Sequence, residues 1–327
     1  MSTPKPCLLL RDTKHRVWGG HALRNMFAVQ DDGTEPIGET WELFDRDDGA
    51  SGLVGGSTLR ELMTQHSSEL LGSGVSAGYG GRFPLMLKFL DACQALSVQV
   101  HPDDEQARPY GDGGKTEAWV VLDTTEEARI CSGFRPGVTH DDLVAALRST
   151  APGTGPSPVE ELLYSFRPKA GDCIYVPAGT VHAIGPGVVL FEVQQNSDLT
   201  YRLYDWGRDR PMHIEQGLQV ARVEDGSRQH AEVARPLADG GSLLLESPFF
   251  RLRRYSLQQS AAMATDDRFF VVTVIAGEGA LEWREGDDAG ALPLRAGDCA
   301  LVPACVGQVT LSPTSSLDVI LTDPGAC

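Results

Sequence analysis

Apolar and polar residues alternate in short runs along most of the chain, and Gly, Pro and Asp break the runs at close intervals. That is the pattern of a mainly β protein. In Leu96-Ser-Val-Gln-Val-His101 the alternation sets Ser97, Gln99 and His101 on one strand face and Val98 and Val100 on the other. Val188–Gln194 and Asp198–Leu203 read as two more strands, the first apolar apart from Glu192. Helical spacing is local: Thr58–Met63, with Ser57 or Thr58 as its cap, then His140–Arg148, Pro158–Tyr164 and His213–Val223. The middle two, joined by the Gly/Pro/Ser stretch 149–157, form a helical insertion at about 134–167.

One phrase occurs twice. Residues 170–178 read AGDCIYVPA and residues 296–304 read AGDCALVPA, with seven of nine positions identical. Gly-Asp makes a tight turn, the next residues enter a sheet, and Pro ends the ladder where a donor is dispensable. In the first copy Gly179-Thr180 then turns the chain into a returning strand that carries His182. A strand, a turn and a returning strand with an inward His resemble the cupin barrel, a double-stranded β-helix of the jelly-roll type. Two copies therefore predict two cupin barrels. The expected division is a catalytic barrel over 1–230 and a degenerate one over 243–327, with the aperiodic 224–242 as linker. The second copy has Gln308 in place of His182 and Phe269-Phe270 in the strand roughly equivalent to the one carrying Glu117, which puts the expected metal site in the first barrel.

Composition narrows the class. A chain of 327 residues with 41% hydrophobic and 22% charged residues is ordinary for a globular protein. No apolar run is long enough to span a bilayer, and Cys7-Leu8-Leu9-Leu10 is too short for a secretory core. Seven scattered cysteines without a CxxC pair argue for reduced thiols, so the expected location is cytoplasmic. A net charge of −17 argues against nucleic acid or an anionic membrane as partner. It also makes the five lysines informative, because Lys88 and Lys115 flank the segment richest in chemistry.

Lys115 and Glu117 are two apart in Gly113-Gly-Lys-Thr-Glu-Ala-Trp119 and project the same way. His101, Glu117 and His182, all at strand ends of one barrel, make a set of three protein ligands of the kind that leaves a catalytic metal an open position. Glu192 and Arg202 sit in otherwise apolar strands. Either they form a buried structural pair, or both face a pocket.

Taken together, several phrases resemble the type I mannose-6-phosphate isomerases. They are Val17-Trp-Gly-Gly20, Gly38-Glu-Thr-Trp-Glu42, Pro84-Leu-Met-Leu-Lys-Phe89, Ser97-Val-Gln-Val-His-Pro-Asp103, Gly114-Lys-Thr-Glu-Ala-Trp119, Val176-Pro-Ala-Gly-Thr-Val-His-Ala183 and Asn196-Ser-Asp-Leu-Thr-Tyr-Arg202. They occur in the family's order from residue 17 to about 220. The resemblance implies one zinc ion per chain on His101, Glu117, His182 and Gln99, with the amide of Gln99 either a ligand or part of the lining. It implies a catalytic Arg202 with Lys115 and Glu192, and a phosphate end formed by Ser97 and Lys88. The compact insertion resembles the bacterial members. The implied activity is the interconversion of mannose 6-phosphate and fructose 6-phosphate through an enediol or enediolate, by a monomer or weak homodimer. Glu192 and Lys115 are both chemically able to carry the proton, and nothing in the sequence chooses between them. The other readings are an isomerase of a different sugar phosphate, a non-catalytic sugar-phosphate-binding cupin, and a metal oxygenase on the same fold.

Overall fold

The computed structural model describes residues 3–29, 33–149, 157–224, 232–285 and 288–325. Parts of the expected linker (225–231) and of the helix-joining stretch (150–156) lie outside the described residues.

Strands dominate, as the alternation predicts. A six-stranded sheet runs in the spatial order Cys173–Val176, Glu117–Thr124, Val188–Gln195, Leu85–Ala92, Ile37–Leu43, Asp12–Gly20. A five-stranded sheet runs Leu163–Phe166, Ile130–Phe134, His182–Ile184, Val98–Val100, Tyr201–Tyr204. Every pairing within them is antiparallel. A nine-stranded sheet holds most of the remaining strands, and its own apolar interior includes Tyr255, Phe270, Val272 and Leu321. A shared core that includes Phe83, Phe89, Phe191, Phe250, Phe269 and Leu301 joins the six-stranded sheet to the nine-stranded one. The chain start joins in too: Cys7 and Leu8 pair with Leu301 and Ala300, at the opposite end of the sequence.

Register places the polar residues. Directly opposite residues on neighbouring strands share a face. Across the five-stranded sheet His182 lies opposite Gln99, and Gln99 opposite Arg202. Across the six-stranded sheet the row is Trp119, Glu192, Lys88, Trp41. Two polar rows therefore come from strands far apart in sequence. Below them Leu90, Val121, Ile130, Ile174, Ile184 and Leu190 close the barrel with apolar packing.

The helices are where the spacing puts them, with altered ends. Leu59–Leu71 runs past Met63, starting from a Thr58 cap whose side chain takes the Glu61 N–H while the Glu61 carboxylate takes the Thr58 N–H. The insertion contains His140–Ser149 and Pro158–Leu162, which seat Leu143, Leu147 and Val159 in a cluster with Phe134 and Val181. The second helix stops at Leu162 because Leu163–Phe166 pairs with Ile130–Phe134 and becomes a strand. Ile214–Val220 is shorter than the spacing suggested. No described helix is long and apolar enough to cross a membrane. The six described cysteines are free thiols.

Candidate metal centre and active site

His101 follows the strand Val98–Val100 and His182 opens the strand His182–Ile184, so both imidazoles enter the barrel from the five-stranded side. His101 Nδ1 is 2.8 Å from Leu199 O and His182 Nδ1 is 2.9 Å from Thr180 O. A carbonyl can only accept, so each Nδ1 carries the proton and each Nε2 presents a lone pair to the interior. Glu117, from the facing sheet, brings Oε1 to 3.1 Å from His101 Nε2 and Oε2 to 3.9 Å from His182 Nε2. All three residues are buried, and their donor atoms lie within 4.8 Å of one another.

Such a set is what a divalent cation needs: two neutral imidazole nitrogens and an ionised carboxylate. Electrostatics keep the groups in those forms. Burial, and the neighbouring Lys115 charge to a smaller extent, outweigh the opposing pull of Glu117 and leave His101 with a lowered pKa. Burial drops His182 to about 4. Burial by itself would raise Glu117, but the Lys115 charge and His101 outweigh it and hold the carboxyl well below its usual range. The Lys115 ammonium lies 2.5 Å from Glu117 Oε1 and 3.3 Å from His101 Nε2, so a cation already stands against these donors. The residues fit a metal ion.

Gln99 stands beside this set. Its Nε2 is 3.3 Å from His182 Nε2, while its Oε1 accepts from Ser97 Oγ at 3.0 Å. A half-turn of the amide would exchange the two and aim the oxygen at the metal donors.

The remaining candidates line one cavity of about 340 Å³, whose walls include Lys88, Ser97, Gln99, Lys115, Glu192 and Arg202. Glu192 does not form the buried pair with Arg202 that its strand position allowed. Its cationic partner is Lys88, 3.5 Å away, because the register puts Lys88 directly opposite it. Burial, and then repulsion from Glu117, push Glu192 up to about 7. The Trp119 indole N–H reaches both Glu117 Oε2 and Glu192 Oε2 at 3.1 Å, linking the metal side to the acid. Arg202 is left differently. Its Nε is buried and has no hydrogen-bond partner among the described residues. Burial and the nearby Arg210 lower its pKa. Larger hollows exist, such as one of about 770 Å³ beside Arg11, Glu42 and Asp298. Among the described residues only His101, Glu117 and His182 group as metal donors.

A model of the type I phosphomannose isomerase catalytic domain matches residues 8–131, and one of the mannose-6-phosphate isomerase cupin domain matches 242–321. Mannose-6-phosphate isomerase ManA of Bacillus subtilis is 35% identical over 94% of this chain and 96% of its own length. The chain belongs to the type I phosphomannose isomerase family. The mannose-6-phosphate isomerase of Streptococcus mutans is 36% identical over 84% of this chain and 86% of its own. The crystal structure of the Bacillus subtilis mannose 6-phosphate isomerase superposes with a TM-score of 0.85 at 31% identity, covering 98% of this chain and 99% of that one. The expected cupin architecture of a phosphomannose isomerase stands on the same matches.

Several wall residues escaped the sequence reading. Glu39 and Trp41 alternate on one strand face, and Trp41 Nε1 donates to Glu39 Oε2 at 2.6 Å while Lys14 and Lys88 stand 4.5 and 5.2 Å from the indole. The i, i+2 spacing within Gly38-Glu-Thr-Trp-Glu42 was the available signal. Arg210 also lines the cavity, and no strand or helix pattern pointed to it.

Proposed function

We infer that this phosphomannose isomerase is a zinc-dependent aldose–ketose isomerase that interconverts mannose 6-phosphate and fructose 6-phosphate. One observation carries the reading. A two-histidine, one-carboxylate donor set, an acid with a pKa of about 7 and a guanidinium with an unfilled buried N–H converge on a single cavity. The matched relatives, named as mannose-6-phosphate isomerases and alike over nearly their whole length, support the same substrate.

His101, Glu117 and His182 would hold the ion, with Gln99 as a fourth group once its amide presents oxygen. Bound there, zinc supplies Lewis acidity toward the sugar's carbonyl and adjacent hydroxyl oxygens. The chain's own residues move the proton. Glu192 takes the C2 proton of the aldose as the C2–H electron pair becomes the C1=C2 bond of the enediolate and charge passes to O1. It then returns the proton to C1 as O2 becomes the ketose carbonyl, the hydroxyl proton passing from O2 to O1. An acid poised at about 7 both accepts and releases a proton near neutrality. Lys115 is the weaker candidate for the base, because Glu117 and Glu192 outweigh its burial and raise its pKa, which keeps it an ammonium. Its charge and that of Arg202 face the developing enediolate. Ser97 and Lys88 hold the phosphate end. The closed apolar floor keeps bulk water from the intermediate.

A purely sugar-phosphate-binding cupin has no use for a buried acid near neutrality, and an oxygenase on the same triad has no support in the family. We propose further that the enzyme works in the cytoplasm as a monomer or weak homodimer, with residues 1–230 as catalytic unit and 243–327 as degenerate barrel. The net charge of −17 supports its working apart from nucleic acid and anionic membranes.

The test is direct. Purified protein is given mannose 6-phosphate and assayed for fructose 6-phosphate, before chelation, after it and after zinc return. Activity that disappears with chelation and comes back with zinc is the expected result. Absence of interconversion in zinc-loaded protein would sink the reading, and faster turnover of another aldose phosphate would reassign the substrate.

A further inference from the structure

After the strand Tyr201–Tyr204 the chain reverses sharply over residues 205–210. Trp206 and Gly207 both take positive φ, 55° and 75°. A bulky aromatic residue in that region is uncommon and persists only where its surroundings hold it. Here they do. Trp206 Nε1 donates to Leu96 O at 2.9 Å, and Arg208 Nη2 donates to Ala95 O at 2.8 Å. Asp205, buried at 3% exposure, accepts from Arg208 Nη1 at 3.1 Å. The same carboxylate takes Arg210 Nε and Nη2 on its two oxygens at 2.6 Å each. The turn is clamped to the two residues that precede Ser97, and it delivers Arg210 to the wall of the cavity that Ser97, Lys88 and Arg202 also line.

The result is two guanidiniums in one wall, close enough that Arg210 acts on Arg202. Asp205 neutralises one and leaves the buried Nε of the other without an acceptor. Arg210 keeps Nη1 free of any hydrogen bond among the described residues. Paired arginines suit the several acceptor oxygens of a phosphate dianion, which one lysine and one hydroxyl serve incompletely. A bidentate hold by a buried carboxylate also fixes the guanidinium before the ligand arrives, which reduces the ordering cost of binding.

We propose that Arg210 is a further phosphate-binding residue of this isomerase, and that Asp205 is the positioning residue that aims it. The inference rests on the sugar-phosphate reading of the cavity. It assigns Arg210 to holding substrate and not to the proton transfer.

Arg210→Met should raise KM for mannose 6-phosphate about 10- to 100-fold, the worth of a lost charge-assisted contact. It should leave kcat within about threefold and zinc content unchanged, with Arg210→Lys recovering part of the loss. Asp205→Asn should shift KM the same way by a smaller factor. Calorimetric titration of the zinc-loaded protein with inorganic phosphate reads the same contact without turnover, and affinity should fall about tenfold or more in Arg210→Met. Unchanged phosphate affinity, or a loss confined to kcat, would overturn the proposal and make Arg210 a structural arginine. If Arg210→Met does not fold, the titration of Arg210→Gln decides, and wild-type phosphate affinity there counts against the proposal. If the wild type turns over no mannose 6-phosphate, the isomerase reading fails, while the phosphate titration still decides on Arg210.

Discussion

In the first barrel Gly171 donates to Val121 O and Val121 to Asp172 O; in the second, Gly297 donates to Val274 O and Val274 to Asp298 O. Each aspartate also takes the N–H three residues before it, that of Lys169 at 2.8 Å and that of Arg295 at 3.0 Å. The repeated phrase is thus one turn built twice, and aligning on it gives the positions an exact meaning. Phe270 lies opposite Val302 as Glu117 lies opposite Val176, so a phenyl ring stands in the carboxylate's place. Beyond the turn the copies part. The first brings His182 inward at 0% exposure. The second makes a short 3-10 turn over Ala304–Val306, leaves Gln308 exposed and sends Val309 inward. Met263 then faces Val309 where Gln99 faces His182. The missing histidine is more than a change of letter, since a one-residue shift reverses which side chain a strand points into its barrel. The difference shows what a polar interior requires. The first barrel buries Glu117, Glu192, Lys88 and Lys115 only because each has an opposite charge within reach, whereas the second fills the same scaffold with apolar side chains that need no partners.

The comparison can be broken in three places. The largest effect is expected at His182→Ala, which should abolish metal retention through gel filtration, read by elemental analysis, and reduce isomerase activity to background. Gln308→Ala should leave metal content at the wild-type level, and metal loss there would move the site to the other barrel. Next is Phe270→Ala, which should cost about 3–5 kcal/mol of stability by denaturant unfolding, as other large-to-small core changes do, while the folded fraction keeps its zinc. A Phe270→Ala protein that is stable but cannot hold metal would contradict the division of labour. The smallest concerns pH. In metal-free protein Glu192 has a folded pKa of about 7 against an ordinary 4.5, so the folded state holds this proton more tightly than the unfolded one. Its burial costs nothing below about pH 4.5, costs progressively more as pH rises, and reaches its full cost above about pH 7. Glu192→Gln lacks that titration. Its stability relative to wild type should rise through this window by a few kcal/mol at most, about 1.4 per pKa unit, and stay flat outside it. A difference independent of pH would show that Glu192 is not raised.

The sequence by itself determined the β class, the two copies of the turn, the helical insertion and the residue types able to bind a metal. These depend on local periodicity and turn chemistry, which a single segment carries. Motif order carried the family. Only the tertiary structure decided which groups meet. That Glu192 pairs with Lys88 and not with Arg202 follows from strand register, and register depends on pairing partners far apart along the chain. That both histidines present Nε2 follows from two loop carbonyls, Leu199 O and Thr180 O, with no sequence signature. Arg210 stayed hidden for the same reason: its place is set by a left-handed turn tied to Ala95 and Leu96. Periodicity assigns a side chain to a face, but the distance between two side chains on different strands is fixed only when the sheets pair and pack.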